Sequence, residues 1–127
     1  MTTSNFQYLD DPSTRTAAAD ERVARVPATV QSKEDLLAHL AKELSLPAHF
    51  GHNWDALDEV LRDLSWIREK RVVIVHLGAP TLEPYYAVLR ESVADWSPGD
   101  RHELAVVFPS AQRDAVEHHL ATAQKSA

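Results

Sequence analysis

The chain has 127 residues, 44% hydrophobic and 25% charged, which is enough for one core and too few for two comfortable ones. Nineteen Asp and Glu against 13 Lys and Arg give a formal charge of −6, which argues against general nucleic-acid binding and leaves solubility or a basic partner. No apolar run approaches the roughly 20 residues of a membrane helix, no secretory signal is visible, and cysteine is absent, so a cytoplasmic protein that does not engage membranes is expected.

Residues 1–20 are rich in Ser, Thr, Ala and Asp without period, which reads as a flexible tail from which Phe6, Tyr8 and Leu9 could dock. Val23 and Val26 suggest a short strand over 22–26 that Pro27 ends. Ser32 with Asp35 makes a capping-box-like start, and Leu36, Leu37, Leu40 and Leu44 supply a helical stripe that Pro47 terminates. The continuous apolar run Val72 to Leu77 reads as a strand covered on both faces. His76 within it fits a satisfied core residue better than a ligand. Thr81 and Pro84 suit a helix start, after which Tyr86, Leu89, Val93 and Trp96 repeat at helical spacing until Ser97-Pro98-Gly99-Asp100. Glu103 to Phe108 reads as a further buried strand, and Ser110 as the cap of a last helix carrying Val116 and Leu120, with His118 and His119 facing solvent.

The most informative stretch runs from Leu46 to Leu61, LPAHFGHNWDALDEVL. Pro47 and Gly51 punctuate a tight loop, Asn53 caps the following amides, and Trp54, Leu57, Leu61 and Leu64 recur on one side of a helix. Asp55, Asp58, Glu59 and Arg62 are expected roughly opposite, on the exposed face. On spacing alone these acids also fit a solvated face, with negative charge near the positive end of the helix.

This segment resembles the barstar family, intracellular inhibitors of barnase-type ribonucleases, whose Leu-Pro-x-aromatic-aromatic-Gly-x-Asn-x-Asp-Ala-Leu signature carries the inhibitory surface. The match extends through Ser32-Lys33-Glu34-Asp35-Leu36 and Lys42 to Pro47 upstream, and to Val88-Leu89-Arg90-Glu91 downstream. The resemblance implies that Asp55 and Glu59 meet the basic active site of a ribonuclease, since a cleft built to hold phosphates also holds carboxylates. It implies a further acidic contact at Glu91, an aromatic contact position at His49 and a second at Phe50. Gly51 would allow a close approach or special backbone geometry, and Asn53 would order the loop. Two residues depart from the pattern: Asp58 stands where the best-known member has a bulky aromatic, and Glu59 is one methylene longer than the usual Asp. Both bear on partner choice. No cofactor is implied.

An enzyme is the competing class. Asp55 and Glu59 could pair as carboxylates, and His49, His52 and Asp55 have the residue types of a metal site. Neither pattern is specific, and the sequence lacks a Cys nucleophile, Gly-x-Ser-x-Gly, a phosphate-cradling loop and His-Glu-x-x-His. The expectation is therefore a non-enzymatic α/β domain over 21–127. Its three parallel strands, 22–26, 72–77 and 103–108, would pack with four helices near 33–44, 54–65, 82–96 and 111–122. By resemblance the final helix is an addition to the family archetype. The resemblance implies a basic ribonuclease or ribonuclease toxin as partner, expected to bind 1:1, with no role expected for nucleic acid or membrane; the alternative is a barstar-like module for another basic partner, without nuclease inhibition.

Overall fold

Strands β1 (Phe6–Leu9), β2 (Glu21–Val26), β3 (Arg71–His76) and β4 (Glu103–Pro109) form one parallel sheet ordered β1, β4, β3, β2 in the computed structural model, which describes residues 5–97 and 99–124. The helices are α1 (Lys33–Glu43), α2 (Trp54–Asp63), α3 (Glu83–Asp95) and α4 (Arg113–Thr122). The α/β class and the helices match the sequence expectation. The sheet has a fourth strand.

That strand corrects the reading of residues 1–20 as a tail. β1 pairs with β4 in register Phe6↔Val106 to Leu9↔Pro109, and Phe6 and Tyr8 pack against the core. At four residues, β1 is too short to show the alternation that betrays a strand. It exists because β4 offers a free edge. Residues 1–4 lie outside the described part.

A parallel sheet needs cover on both faces. Alternation along the strands sends Ala24, Val26, Val72, Ile74, His76, Leu104, Val106 and Phe108 into the main core, with leucines of α1 and α2 and the tyrosines of α3. On the opposite face Val73, Val75, Ala105 and Val107 form a second, fully buried cluster edged by Leu9, Val23 and Leu77. The chain between β1 and β2 covers it. β1 and β2 lie at opposite edges, so residues 10–20 must cross the sheet. A 3₁₀ turn at Pro12–Thr14 packs on β4 with Pro12 buried. The Arg25 guanidinium then donates to the Arg15 carbonyl, Arg15 pairs with Glu21 at 2.9 Å, and Arg71 links Glu21 (3.1 Å) to Glu103 (2.7 Å). The supposed tail is a strap.

The last helix also differs in detail. Ser110 does not cap it: its hydroxyl bonds Asp10, a 3₁₀ turn occupies Ser110–Gln112, and α4 starts at Arg113. His119 is not solvent-facing but half-buried, stacked 4.7 Å from the Tyr86 ring and bonded to Glu83. Arg113 lies 4.9 Å over the Tyr8 ring, so the N-terminal strand and the C-terminal helix hold one another. Between them runs a groove of about 440 Å³ lined by Phe6, Tyr8, Arg113, Glu117, Leu120 and Ala121. Gly78 is required for a close approach, because a Cβ there would sit 2.8 Å from that of Ala28.

His76 is the satisfied core histidine expected of it. Fully buried, it bonds the Val107 carbonyl through Nδ1 (3.0 Å) and the Tyr85 hydroxyl through Nε2 (2.6 Å), and stacks 4.2 Å from Phe108. Burial lowers its pKa from 6.5 to about 4, opposed by the Val107 hydrogen bond.

Two predictions follow from these packing features. Between the folded and unfolded pKa values the unfolded chain binds the extra proton, so stability is lost as pH falls through that window. Urea denaturation should register a loss of about 3 kcal/mol from pH 7 to pH 4 that His76→Phe removes; an unchanged slope in the variant would place the titration elsewhere. A chain beginning at Glu21 leaves the second apolar cluster uncovered, and should lose several kcal/mol of stability and self-associate. If its denaturation midpoint matches that of the full chain, the strap is dispensable.

Candidate functional site

The site begins where α1 ends. Leu44 closes the helix through its amide to the Leu40 carbonyl at 2.9 Å, Ser45 turns through the left-handed region at φ 51°, and Pro47 precedes a turn closed by the Phe50 amide on the Pro47 carbonyl at 2.9 Å. Phe50, expected as a second contact residue, is placed in the core at 7% exposure and anchors the loop from beneath. His49 beside it is exposed.

Gly51 is close-packed rather than left-handed. The residue with positive φ is His52 at 52°, held by its Nδ1 donating to the Phe50 carbonyl (3.1 Å) and by ring contact with Phe50 at 4.8 Å. A Cβ on Gly51 would come within 3.3 Å of the Asn53 side-chain nitrogen. Asn53 needs that space: its Oδ1 accepts from the Ala56 amide at 2.7 Å, capping α2, while its Nδ2 reaches the Gly51 carbonyl at 3.4 Å. Loop and helix start are thus one hydrogen-bonded unit.

From this cap α2 docks by the expected stripe. Trp54, Leu57, Leu61 and Leu64 are buried, and Leu64 ends the helix in a left-handed conformation at φ 52°. Trp96, expected at the end of the α3 stripe, instead caps α3 and donates its indole N–H to the Leu61 carbonyl at 2.8 Å. Asp55 and Glu59, one turn apart, are exposed. At 3.6 residues per turn their Cβ atoms stand about 5–6 Å apart on the same face.

Asp58 does not share that face, contrary to expectation, whereas Arg62, two turns after Asp55, does. On the helical wheel Asp58 lies only about 40° from Trp54, at the border of the stripe, so the neighbouring helix decides its fate. Its side chain is 15% exposed and accepts from Arg62 Nε (3.0 Å) and from the Ser92 hydroxyl on α3 (3.2 Å). Arg62 also pairs with Glu91 (3.7 Å) and Asp95 (3.3 Å). The hydrogen bond to Asp58, and then the charges of Asp58, Asp95 and Glu91, raise the Arg62 pKa further above its ordinary value. Glu91 is half-buried, with Arg90 as a second cation at 3.5 Å.

The acidic surface therefore has two parts. Asp55 and Glu59 lie beyond the His49–Asn53 loop, while Asp58, Glu91 and Asp95 gather around Arg62 between α2 and α3. Sequence reasoning missed Arg62, Ser92 and Asp95; the i, i+4 spacing of Asp58 and Arg62 was the available signal. Among the described residues no three His, Cys, Asp or Glu side chains converge as a metal site, and no helix is long and apolar enough to cross a membrane.

A protein-family model described as Barstar (barnase inhibitor) matches residues 23–115, most of the chain and the whole of this site. β1, the whole strap and most of α4 fall outside the match. No curated protein matches the chain significantly.

The packing separates two kinds of residue. Trp54→Ala should cost about 3–5 kcal/mol of folding stability by leaving a cavity, and Asn53→Ala about 1 kcal/mol by removing the cap. Asp55→Ala and Glu59→Ala should stay within about 0.5 kcal/mol of the parent. Chemical denaturation of the four variants checks this; a stable Trp54→Ala would mean that the wrong face has been placed inward.

Proposed function

The chain belongs to the barstar family, and from that membership we propose that it binds and inhibits a barnase-like or related ribonuclease, covering the basic active site with α2 and the loop before it. Members of the family are inhibitors and not enzymes. The observation that carries the reading is the exposed pair Asp55 and Glu59 on a helix fixed from behind by its apolar stripe and in front by the Asn53 cap.

The chemistry is anion substitution. A nuclease cleft that holds phosphates with Arg, Lys and His presents desolvated donors, and a carboxylate on a rigid support satisfies them without offering a cleavable bond. Rigidity matters because association costs the ordering of whatever is mobile beforehand, and α2 enters already ordered. His49 supplies a ring able to stack on the partner, Gly51 lets the partner backbone approach, and Asn53 keeps both in place. The complex is 1:1. The inhibitor acts in the cytoplasm, as immunity against the cell's own or a neighbour's ribonuclease toxin.

The test starts with capture: immobilised protein is exposed to extract of the producing cells, and the bound material is assayed for ribonuclease activity before and after release. With the captured enzyme, Asp55→Ala and Glu59→Ala should each weaken binding by about 2–5 kcal/mol in calorimetry, a general range for desolvated charge pairs to which complexes of this family have themselves contributed. Equal affinity across parent and variants would remove the pair from the interface. Association should exceed the ~10⁵–10⁶ M⁻¹s⁻¹ typical of uncharged docking and slow steeply with salt, while dissociation changes little. An on-rate indifferent to ionic strength in stopped flow would mean that this acid is only solvated surface.

A further inference from the structure

His52 carries an inference that deepens the ribonuclease-inhibitor reading and rests on it. We propose that His52 is a partner-binding residue: with its Nδ1–H donated to the Phe50 carbonyl, it offers Nε2 as a neutral hydrogen-bond acceptor to a guanidinium or ammonium group of the ribonuclease cleft.

The backbone gives the first reason. Among the described residues, Asp20, Ser45, His52 and Leu64 have positive φ without being glycine. Ser45 follows α1 and Leu64 closes α2, where a left-handed residue is a common helix ending, and Asp20 is of a type that visits this region readily. His52 is neither: it precedes the cap of α2, at a position where glycine would carry no steric cost. A side chain kept in such a conformation argues for a use.

The hydrogen bond gives the second. A carbonyl only accepts, so the Nδ1 atom 3.1 Å from the Phe50 oxygen carries the proton. In the neutral ring Nε2 is then the bare nitrogen, an acceptor. Contact at 4.8 Å with the buried Phe50 ring steadies the imidazole. His52 is nonetheless exposed, and Nε2 has no hydrogen-bond partner among the described residues.

Position gives the third. His52 stands between the exposed His49 and the capping Asn53, three residues before Asp55, within the loop that meets the partner. A phosphate-binding cleft presents several N–H donors, and each one left buried without an acceptor costs affinity. An uncharged acceptor on an ordered loop satisfies such a donor with less desolvation than a further carboxylate. It also selects: a partner that places an acceptor here leaves two acceptors facing one another and is rejected.

Full-length protein with nitrogen-15 in its histidine rings, studied by NMR at about pH 8, where an ordinary histidine is neutral, tests the assignment. In the free protein Nδ1 of His52 should carry the proton and Nε2 should not. Titration with a deca-arginine peptide should move the Nε2 resonance and leave Nδ1 protonated. His52→Asn keeps a residue tolerant of the left-handed backbone and an amide donor for Phe50, but ends short of Nε2. It should melt with the parent and bind the peptide about threefold more weakly, and the captured ribonuclease about tenfold more weakly. His52→Gln, whose amide reaches the place of Nε2, should recover part of the loss. A proton on Nε2 in the free protein, an Nε2 resonance indifferent to the peptide, or a folded His52→Asn variant that binds either probe as the parent does overturns the proposal. Should both variants fail to fold, the two resonances of the parent decide. The expected pattern with the peptide in a protein that inhibits no captured ribonuclease would remove the ribonuclease reading and leave Nε2 of His52 an acceptor for cations.

Discussion

Burial of Trp54, Leu57, Leu61 and Leu64 is the contact on which the acidic surface depends. With that stripe inward, the 3.6-residue repeat leaves Asp55 and Glu59 no orientation but outward and puts Asp58 on the border with α3. Ordinary hydrophobic packing therefore fixes the carboxylates where they stand. Both acids are exposed, so the surface can be tuned for a partner at small cost to folding.

The same logic extends to the rest of the molecule. A parallel sheet buried on both faces needs two covers, and here the helices form one while the strap of residues 10–20 forms the other. β1 feeds that strap, and its aromatic residues meet α4 through the Arg113–Tyr8 contact. The N-terminal and C-terminal additions beyond the family match thus join at one sheet edge, at the far side of the sheet from β2. The site and the additions occupy different parts of the fold, so each can vary with little disturbance to the other.

Much of this was legible in the sequence, for identifiable reasons. Ser32 and Asn53 mark helix starts because the oxygen of a short side chain reaches the amide three residues on, and both do so here at 3.1 and 2.7 Å. The Val72–Leu77 run announces a central strand because only a strand covered on both faces can be apolar throughout. What stayed hidden depends on neighbours in space. β1 is a strand only beside β4; the strap is held largely by contacts of the half-buried Arg15 and Arg25, which leave no periodicity. Asp58 and Glu91 read as exposed acids until α2 meets α3 and Arg62 comes between them. Phe50 departs from its expected contact role in a similar way, turned inward by packing, and the left-handed residue of the loop is His52. The family signature fixes which residues matter in this loop, whereas the direction of each side chain is set by three-dimensional packing.

The central claim is that this loop and the first turns of α2 form the surface on which a ribonuclease docks. Amide hydrogen exchange measured on the protein alone and in complex with its captured ribonuclease tests it most directly, because protection reports where the partner sits irrespective of which contacts carry the energy. The account requires new protection concentrated in residues 49–59, with the β1 and α4 groove unchanged. Protection confined to the groove lined by Tyr8, Arg113 and Leu120, with residues 49–59 exchanging as in the free protein, would contradict it.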